Sequence, residues 1–229
     1  MGRPLPHGPS CLRPQSAAIY TTPRWDLKAK IDDAAWGATC TAYNHKVLSD
    51  LAEEPGKVEL VYHGLDTSRF PPPPSREGRK GPLRIVSVCR AVEKKGLDDL
   101  IAALGRLPKD LDWRFDHIGG GKTAPLEALA QRLGIADRIA FRGAMAREKV
   151  IEAYAQADIF ALASRIARNG DRDGLPNVIM EAMALGRPVN IAVNHDDNAI
   201  KMHTANHPHT RHLCEDVFAV DPESVCKGR

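Results

Sequence analysis

The sequence predicts an α/β protein built on a Rossmann-like, doubly wound parallel sheet, and three observations predict it. Between Leu83 and Leu185, short apolar runs fit for buried strands alternate with stretches of helical periodicity. Glycine-bearing turns follow the strands, at Gly119-Gly120-Gly121 and at Phe141-Arg142-Gly143. A polar loop ending in Pro176 opens an unbroken helix-forming run from Asn177 to Leu185. Strand and helix repeating at this spacing argue a sheet covered on both faces, with ligands at the carboxyl ends of its strands.

The elements follow in order. Leu83 to Cys89 reads as a buried strand, and the helical pattern Leu97, Leu100, Ile101, Leu104 follows the turn Arg90-Ala91-Val92-Glu93-Lys94-Lys95-Gly96. Trp113 to Ile118 reads as a strand, Ala124 to Leu133 as a helix, and Arg138 to Phe141 as a strand. Arg147 to Ala155 reads as a helix, Asp158 to Ala163 as a strand, and Asn177 to Leu185 as the last helix.

The loop before that last helix carries the most chemistry. Gly174 gives it backbone freedom, Leu175 leads to Pro176 at the helix start, and the free N–H groups from Asn177 onward would face a phosphate, backed by the helix dipole. Glu181 lies one turn further, where its carboxylate can accept two hydroxyl hydrogen bonds, and Asp173 can reach a second polyol. Arg90 and Lys95, at the carboxyl end of the first strand of this region, can bracket a diphosphate. Charge-assisted contacts of that kind are worth about 1.5–3 kcal/mol each. Together these residues suit a nucleotide-diphosphate sugar.

Asp173 and Glu181, with seven residues between them, resemble the paired acidic motif of the retaining glycosyltransferases of family 4, whose fold is called GT-B. The wording GDRDGLPNVIMEAMA is most similar to the exopolysaccharide branch of the colanic acid type. The resemblance implies that the chain is mainly the C-terminal donor-binding domain. Glu181 would bind the nucleotide ribose and Asp173 would lie against the donor sugar. Arg90 and Lys95 match the Arg and Lys that neutralise the leaving phosphates. Gly119 and Gly121 resemble the family's GxG turn, and Arg142 with Gly143 its FxG turn. His63 and Gly64 fall in the crossover cleft, where His63 could contact ligand or serve the turn. Cys89 stands where the family has Gly, which adds bulk at the turn. The implied donor is a UDP- or GDP-sugar, the acceptor a saccharide or lipid-linked molecule, and no metal or other cofactor is needed. The resemblance also implies peripheral contact with the inner membrane surface in the full-length family, whose members often make it through the acceptor domain.

Similarity begins before this domain, at Ile19-Tyr20-Thr21-Thr22-Pro23, Cys40-Thr41-Ala42-Tyr43-Asn44 and Val61-Tyr62-His63-Gly64-Leu65-Asp66. The implied organisation is a non-family segment over 1–18 and a remnant of the acceptor domain over 19–70. A Pro-rich linker over 71–82 follows, then the donor domain over 83–189 and a His-rich tail over 190–229. Residues Met1 to Ser16 hold four prolines and no strand pattern. Where the family places a His upstream of the Ile-Tyr pair, this chain has Gln15-Ser16-Ala17-Ala18. Five of nine histidines fall after Asn194, a shift that suggests a changed reading frame or a truncated chain.

Composition bounds the rest. With 43% apolar and 27% charged residues the 229-residue chain reads as soluble and globular, and a net charge of +3 is too small to imply nucleic acid. No run approaches ~20 consecutive apolar residues, so no transmembrane helix is expected. Cys11, Cys40, Cys89, Cys214 and Cys226 read as reduced thiols of a cytoplasmic protein. Lys94 reads as a surface lysine and His117 as a packed or edge histidine. His207, His209, His212 and Cys214 have zinc-ligand chemistry, but no recognisable scaffold surrounds them. Two other readings stand beside transfer: an inactive nucleotide-sugar-binding remnant, and a nicotinamide dehydrogenase prompted by the glycine turn. The dehydrogenase fits poorly, because the third glycine of the dinucleotide fingerprint is missing and the turn lies in mid-sheet.

Overall fold

The computed structural model describes residues 11–14, 16–62, 64–72, 80–173, 176–185, 191–193 and 211–214. The chain divides into two units, with the boundary after Leu185. Expectations for His63, Gly174, Leu175, Pro73, Pro74, His207 and His209 lie outside the described residues.

The first unit opens with β1 (Cys11–Leu12), α1 (Ser16–Thr21), α2 (Arg24–Asp33), β2 (Trp36–Thr39), α3 (Ala42–Ser49) and β3 (Val58–Leu60). The three strands form a parallel sheet in the order β1-β2-β3. The absence of a strand expected before Ser16 is corrected here, since Cys11 and Leu12 pair with Trp36 and Gly37. A strand of two residues is too short to show an alternation. Ile19, Leu27, Ile31, Leu48 and Val58 bury the helices against this sheet. Thr41 caps α3 by accepting the Asn44 N–H at 3.2 Å.

The second sheet comprises β4 (Leu83–Val88), β5 (Trp113–Ile118), β6 (Ile139–Phe141) and β7 (Ile159–Phe160), all parallel, in the order β6-β5-β4-β7. Between them run α4 (Leu97–Leu104), α5 (Ala124–Arg132) and α6 (Arg147–Gln156), and α7 (Asn177–Ala184) follows β7. Successive side chains of a strand point to opposite faces, and burial follows that alternation. Ile85, Trp113 and Phe115 pack with Leu97, Ile101, Leu104 and Ala130 of α4 and α5. Val86 and Ile118 pack instead with Tyr154, Ala182, Leu185 and the incoming Phe70. The sheet is therefore covered on both faces, as a Rossmann-like layer requires.

The strand expected over Asp158 to Ala163 is shorter. Only Ile159 and Phe160 pair with β4, opposite Ile85 and Val86. The Ala161 N–H still donates to Val86 O at 2.9 Å; beyond it the chain leaves the sheet, and the Arg165 N–H bonds the Lys94 carbonyl instead at 2.8 Å. In the second unit, β8 (Ile191–Val193) and β9 (Arg211–Leu213) form a parallel pair. Among the described residues no helix is long and apolar enough to cross a membrane.

Candidate active site

From β4 the chain steps through β5 to β6 on one side and returns to β7 on the other side of β4. That reversal opens a crevice at the carboxyl end of β4, where open parallel sheets bind ligands. The turns at this end are bonded into one frame. The Cys89 N–H donates to Ile118 O, Ala91 N–H to Gly120 O, Gly119 N–H to Gly143 O, and Arg142 N–H to His117 O, at 2.8–3.0 Å. Close approach demands the glycines: a Cβ on Gly119 (φ +148°) would stand 1.9 Å from the Cys89 oxygen, and one on Gly121 (φ +133°) 2.7 Å from the Ala91 oxygen. The Cys89 side chain is buried, with Sγ 3.7 Å from Ser87 Oγ and near enough to Lys95 and Asp173 to feel both charges. Burial pushes its thiol up. His117 is fully buried, with Nε2 2.9 Å from the Cys89 oxygen and its ring edge-on to Phe141. Burial holds its imidazole below the usual range.

Lys95 and Asp173 meet in this crevice, Nζ to Oδ2 at 2.5 Å, and the Ser164 hydroxyl donates to the same oxygen at 2.7 Å. Both charged side chains are largely buried, 12% and 13% exposed. Lys94 is not a surface lysine. It is 8% exposed, and its Nζ lies 3.0 Å from Asp171 and 3.6 Å from Asp173. The reason is its position in the tight turn Glu93–Lys95, which ends in left-handed Gly96 and turns consecutive lysines toward the segment following β7. Gly96 has φ +56°, and a Cβ there would stand 2.0 Å from the Ala163 oxygen. Arg165 fastens the same segment to Asp98 and Asp99 of α4, and Arg168 fastens it to Glu93. Arg168 holds the Glu93 carboxyl below its usual range. Arg90 is exposed, and among the described residues it has no carboxylate partner.

Pro176 precedes α7 with φ −67° and ψ 115°, so the helix starts at Asn177. The Tyr154 hydroxyl donates to Val178 O at 3.3 Å and lies beside Glu181; burial first, then that carboxylate, pushes the phenol up. Tyr154 therefore stays protonated and supports the helix at the position of Glu181. Arg142 is held by Asp116 of β5, Nε to Oδ1 at 2.7 Å, and Gly143 turns with φ +70°. Gly64 has open space around it, and no hydrogen bond joins it to this frame among the described residues. The structure thus brings together Arg90, Lys95, Asp173 and the Gly119–Gly121 turn, and places Glu181 on α7. Tyr154, Ser164 and Asp171 were missed from sequence. Their only signal is position: a lone Tyr in an Ala-rich helix and polar residues flanking Asp173. Among the described residues no three metal-ligating side chains converge.

Residues 82–209, more than half of the 229, match a family model described as Glycosyl transferases group 1. The chain belongs to this family. The matched span runs past Val189 into the His-rich tail, further than the motifs carry the resemblance. In this group, the chain is 34% identical over 135 residues to WcaL of Escherichia coli, described as a putative colanic acid biosynthesis glycosyltransferase. That match covers 58% of this chain and 33% of WcaL. It is 37% identical over 142 residues to a GDP-mannose-dependent phosphatidylinositol monomannoside mannosyltransferase of Mycolicibacterium smegmatis, covering 58% and 37% of the two chains. The chain thus spans about a third of the length of these curated relatives. Among solved structures, HepE of Anabaena in complex with UDP and glucose superposes with TM-score 0.65 at 19% identity, covering 81% of this chain and 53% of HepE. WaaG, a glycosyltransferase involved in lipopolysaccharide biosynthesis, superposes with TM-score 0.58 at 24% identity, covering 74% and 47%. The shared architecture is the GT-B fold.

Proposed function

We propose that this chain binds a nucleotide-diphosphate sugar at the carboxyl end of β4 and serves a retaining glycosyltransferase of exopolysaccharide biosynthesis. The observation that carries this reading is the meeting of Lys95 with Asp173 beside exposed Arg90 and the interlocked glycine turns. The relatives' names support the substrate class, since they include colanic acid and amylovoran biosynthesis and GDP-mannose-dependent transfer. HepE, whose fold this chain shares, has been solved with UDP and glucose and with UDP-glucose, which supports a nucleotide donor.

In the proposed reaction the bond between the anomeric carbon and the diphosphate oxygen breaks, and the electron pair leaves with the diphosphate. Arg90, Lys95 and the N–H groups opening α7 take up the growing phosphate charge, which is electrostatic stabilisation of the transition state. The acceptor hydroxyl oxygen attacks from the same face, and its proton passes to the departing phosphate. Glu181 holds the ribose and Asp173 the donor sugar. The cations supply what a divalent metal would otherwise supply, so the reaction is metal-independent, and we place it in the cytoplasm. Binding without transfer is a second reading, favoured by Gln15-Ser16-Ala17-Ala18 standing where the family has its His. A nicotinamide site is disfavoured, because the glycine turn follows β5, not β4, the first strand of its sheet.

Titration calorimetry with UDP and GDP tests the site. One of the two nucleotides should bind, and Lys95→Ala and Glu181→Ala should each weaken it tenfold or more. Unchanged affinity in either variant removes that residue from the site.

A further inference from the structure

The two oxygens of the Asp173 carboxylate have different partners. Oδ2 takes the Lys95 ammonium at 2.5 Å and the Ser164 hydroxyl at 2.7 Å. Oδ1 faces Lys94, whose Nζ lies 3.6 Å from it and 3.0 Å from Asp171 Oδ1. The side chains of Lys94 and Asp173 are 9% and 13% exposed, so water can replace little of a lost partner at either.

The two lysines are anchored unequally. Lys94 is held at both ends, because its backbone carbonyl accepts the Arg165 N–H at 2.8 Å while its ammonium is tied to Asp171. Asp171 is itself fixed, its N–H donating to Asn169 Oδ1 at 3.0 Å and its carbonyl accepting the Ala167 N–H at 2.8 Å. Among the described residues the Lys95 ammonium is bonded to Asp173 alone. Lys95 can therefore turn by breaking one ion pair, whereas Lys94 would have to leave two carboxylates. A diphosphate that draws Lys95 away takes the nearest cation from Asp173 and brings negative charge up to it at the same moment. A largely buried carboxylate left in that state would be displaced or would take up a proton. The Lys94 ammonium already stands at the other oxygen. Closing from 3.6 Å to hydrogen-bond distance, it keeps Asp173 ionised and in place, with Oδ2 released toward the donor sugar.

We infer that Lys94 is a positioning residue of the donor site: it takes over the Asp173 carboxylate when Lys95 turns to the diphosphate, so that one lysine serves the leaving group and its neighbour in sequence serves the acid. This rests on the donor reading above. It adds to that reading the residue through which Asp173 and Lys95 can part.

Calorimetric titration of UDP and GDP into a double-mutant cycle tests this. Lys94→Met keeps the length of the side chain and removes its charge. In the otherwise unaltered protein it should weaken nucleotide binding about tenfold, because freeing Lys95 then leaves Asp173 without a cation. In the Asp173→Asn background no carboxylate holds Lys95, and the same substitution should change affinity by less than about twofold. Lys94→Arg, which retains the charge, should recover most of the loss. A lysine that met the phosphates itself, or that only held the turn together, would cost the same in both backgrounds. That result overturns the inference, as does unchanged affinity in Lys94→Met. Where thermal unfolding shows that Lys94→Met does not fold, Asp171→Asn reads the exchange from the other side. With its second partner gone Lys94 turns wholly to Asp173, so nucleotide affinity should rise about threefold, and this gain should vanish in the Asp173→Asn background. A gain of equal size in both backgrounds reports only the loss of a negative charge and overturns the inference. If neither nucleotide binds the unaltered protein or Asp173→Asn, the donor reading itself falls, an outcome distinct from nucleotide binding that is indifferent to Lys94.

Discussion

Replacing Asp173 by Asn should destabilise the protein and at the same time tighten its hold on a nucleoside diphosphate. In the ligand-free protein the Asp173 carboxylate occupies Lys95 at 2.5 Å. A diphosphate that uses Lys95 must take the place of that carboxylate, giving up a charge-assisted bond worth about 1.5–3 kcal/mol. Asp173 would keep Ser164 at 2.7 Å and Lys94 at 3.6 Å after Lys95 leaves, so the penalty falls at the lower end of that range. Removing the competitor should therefore raise UDP or GDP affinity about tenfold, since about 1.4 kcal/mol is one decade. Stability moves the other way. Breaking a fully buried ion pair costs about 3–5 kcal/mol. Here the amide oxygen still accepts one bond and Lys95 is 12% exposed, so about 1–3 kcal/mol is expected. For a domain of this size that lowers the midpoint by about 3–10 °C. Calorimetric titration and thermal unfolding read the two effects separately. Weaker or unchanged nucleotide binding in Asp173→Asn, with the expected loss of stability, would refute the claim that Lys95 faces the phosphates.

Gly96→Ala should cost about 2–5 kcal/mol, combining left-handed backbone strain with overlap on the Ala163 carbonyl; urea unfolding reads it, and a change under 1 kcal/mol would contradict the close approach. Burial holds His117 below its unfolded value of about 6.5, so the unfolded chain binds the proton more readily and acid favours unfolding. Stability should be full above pH ~6.5 and fall as pH drops below it, and His117→Gln should lose that slope in denaturation midpoints between pH 7 and 5.5. Tyr154→Phe should weaken nucleotide binding severalfold by loosening the support of Glu181, which a titration would detect. Chelation with EDTA should leave nucleotide affinity unchanged, and a drop of tenfold would argue for a metal at the diphosphate.

Much of the second sheet was legible because its strands are buried on both sides and its helices follow at regular spacing. Val86 and Ile118 face one layer and Ile85 and Phe115 the other, and such runs read directly as apolar segments. β1 was not legible, because two residues carry no period. The span of β7 reads too long in the sequence, because Leu162 and Ala163 remain apolar after the chain has left the sheet, and periodicity cannot distinguish a strand from a partly buried connection. Around the candidate site, sequence placed Arg90, Lys95, Asp173 and the glycine turns near one another through strand order. It could not show that Lys94 is buried, since only the left-handed turn at Gly96 swings it inward, nor that Tyr154 reaches α7 across the layer.

The segment from Ser164 to Asp173 has no helix or strand of its own and reaches the rest of the site through charges: Arg165 to Asp98 and Asp99, Arg168 to Glu93, Lys94 and Lys95 to the two aspartates. Several of these pairs meet solvent, with Arg168 94% and Asp98 48% exposed. Mobile ions screen exposed pairs strongly at a Debye length of about 3 Å in 1 M salt, while the apolar layers on either side of the sheet gain from salting out. Raising ionic strength should therefore loosen the exposed ties of this strap, Arg168 to Glu93 above all, while the buried Lys94 and Lys95 pairs and the sheet beneath them hold, so that salt frees the outer length of the segment and leaves the diphosphate seat in place.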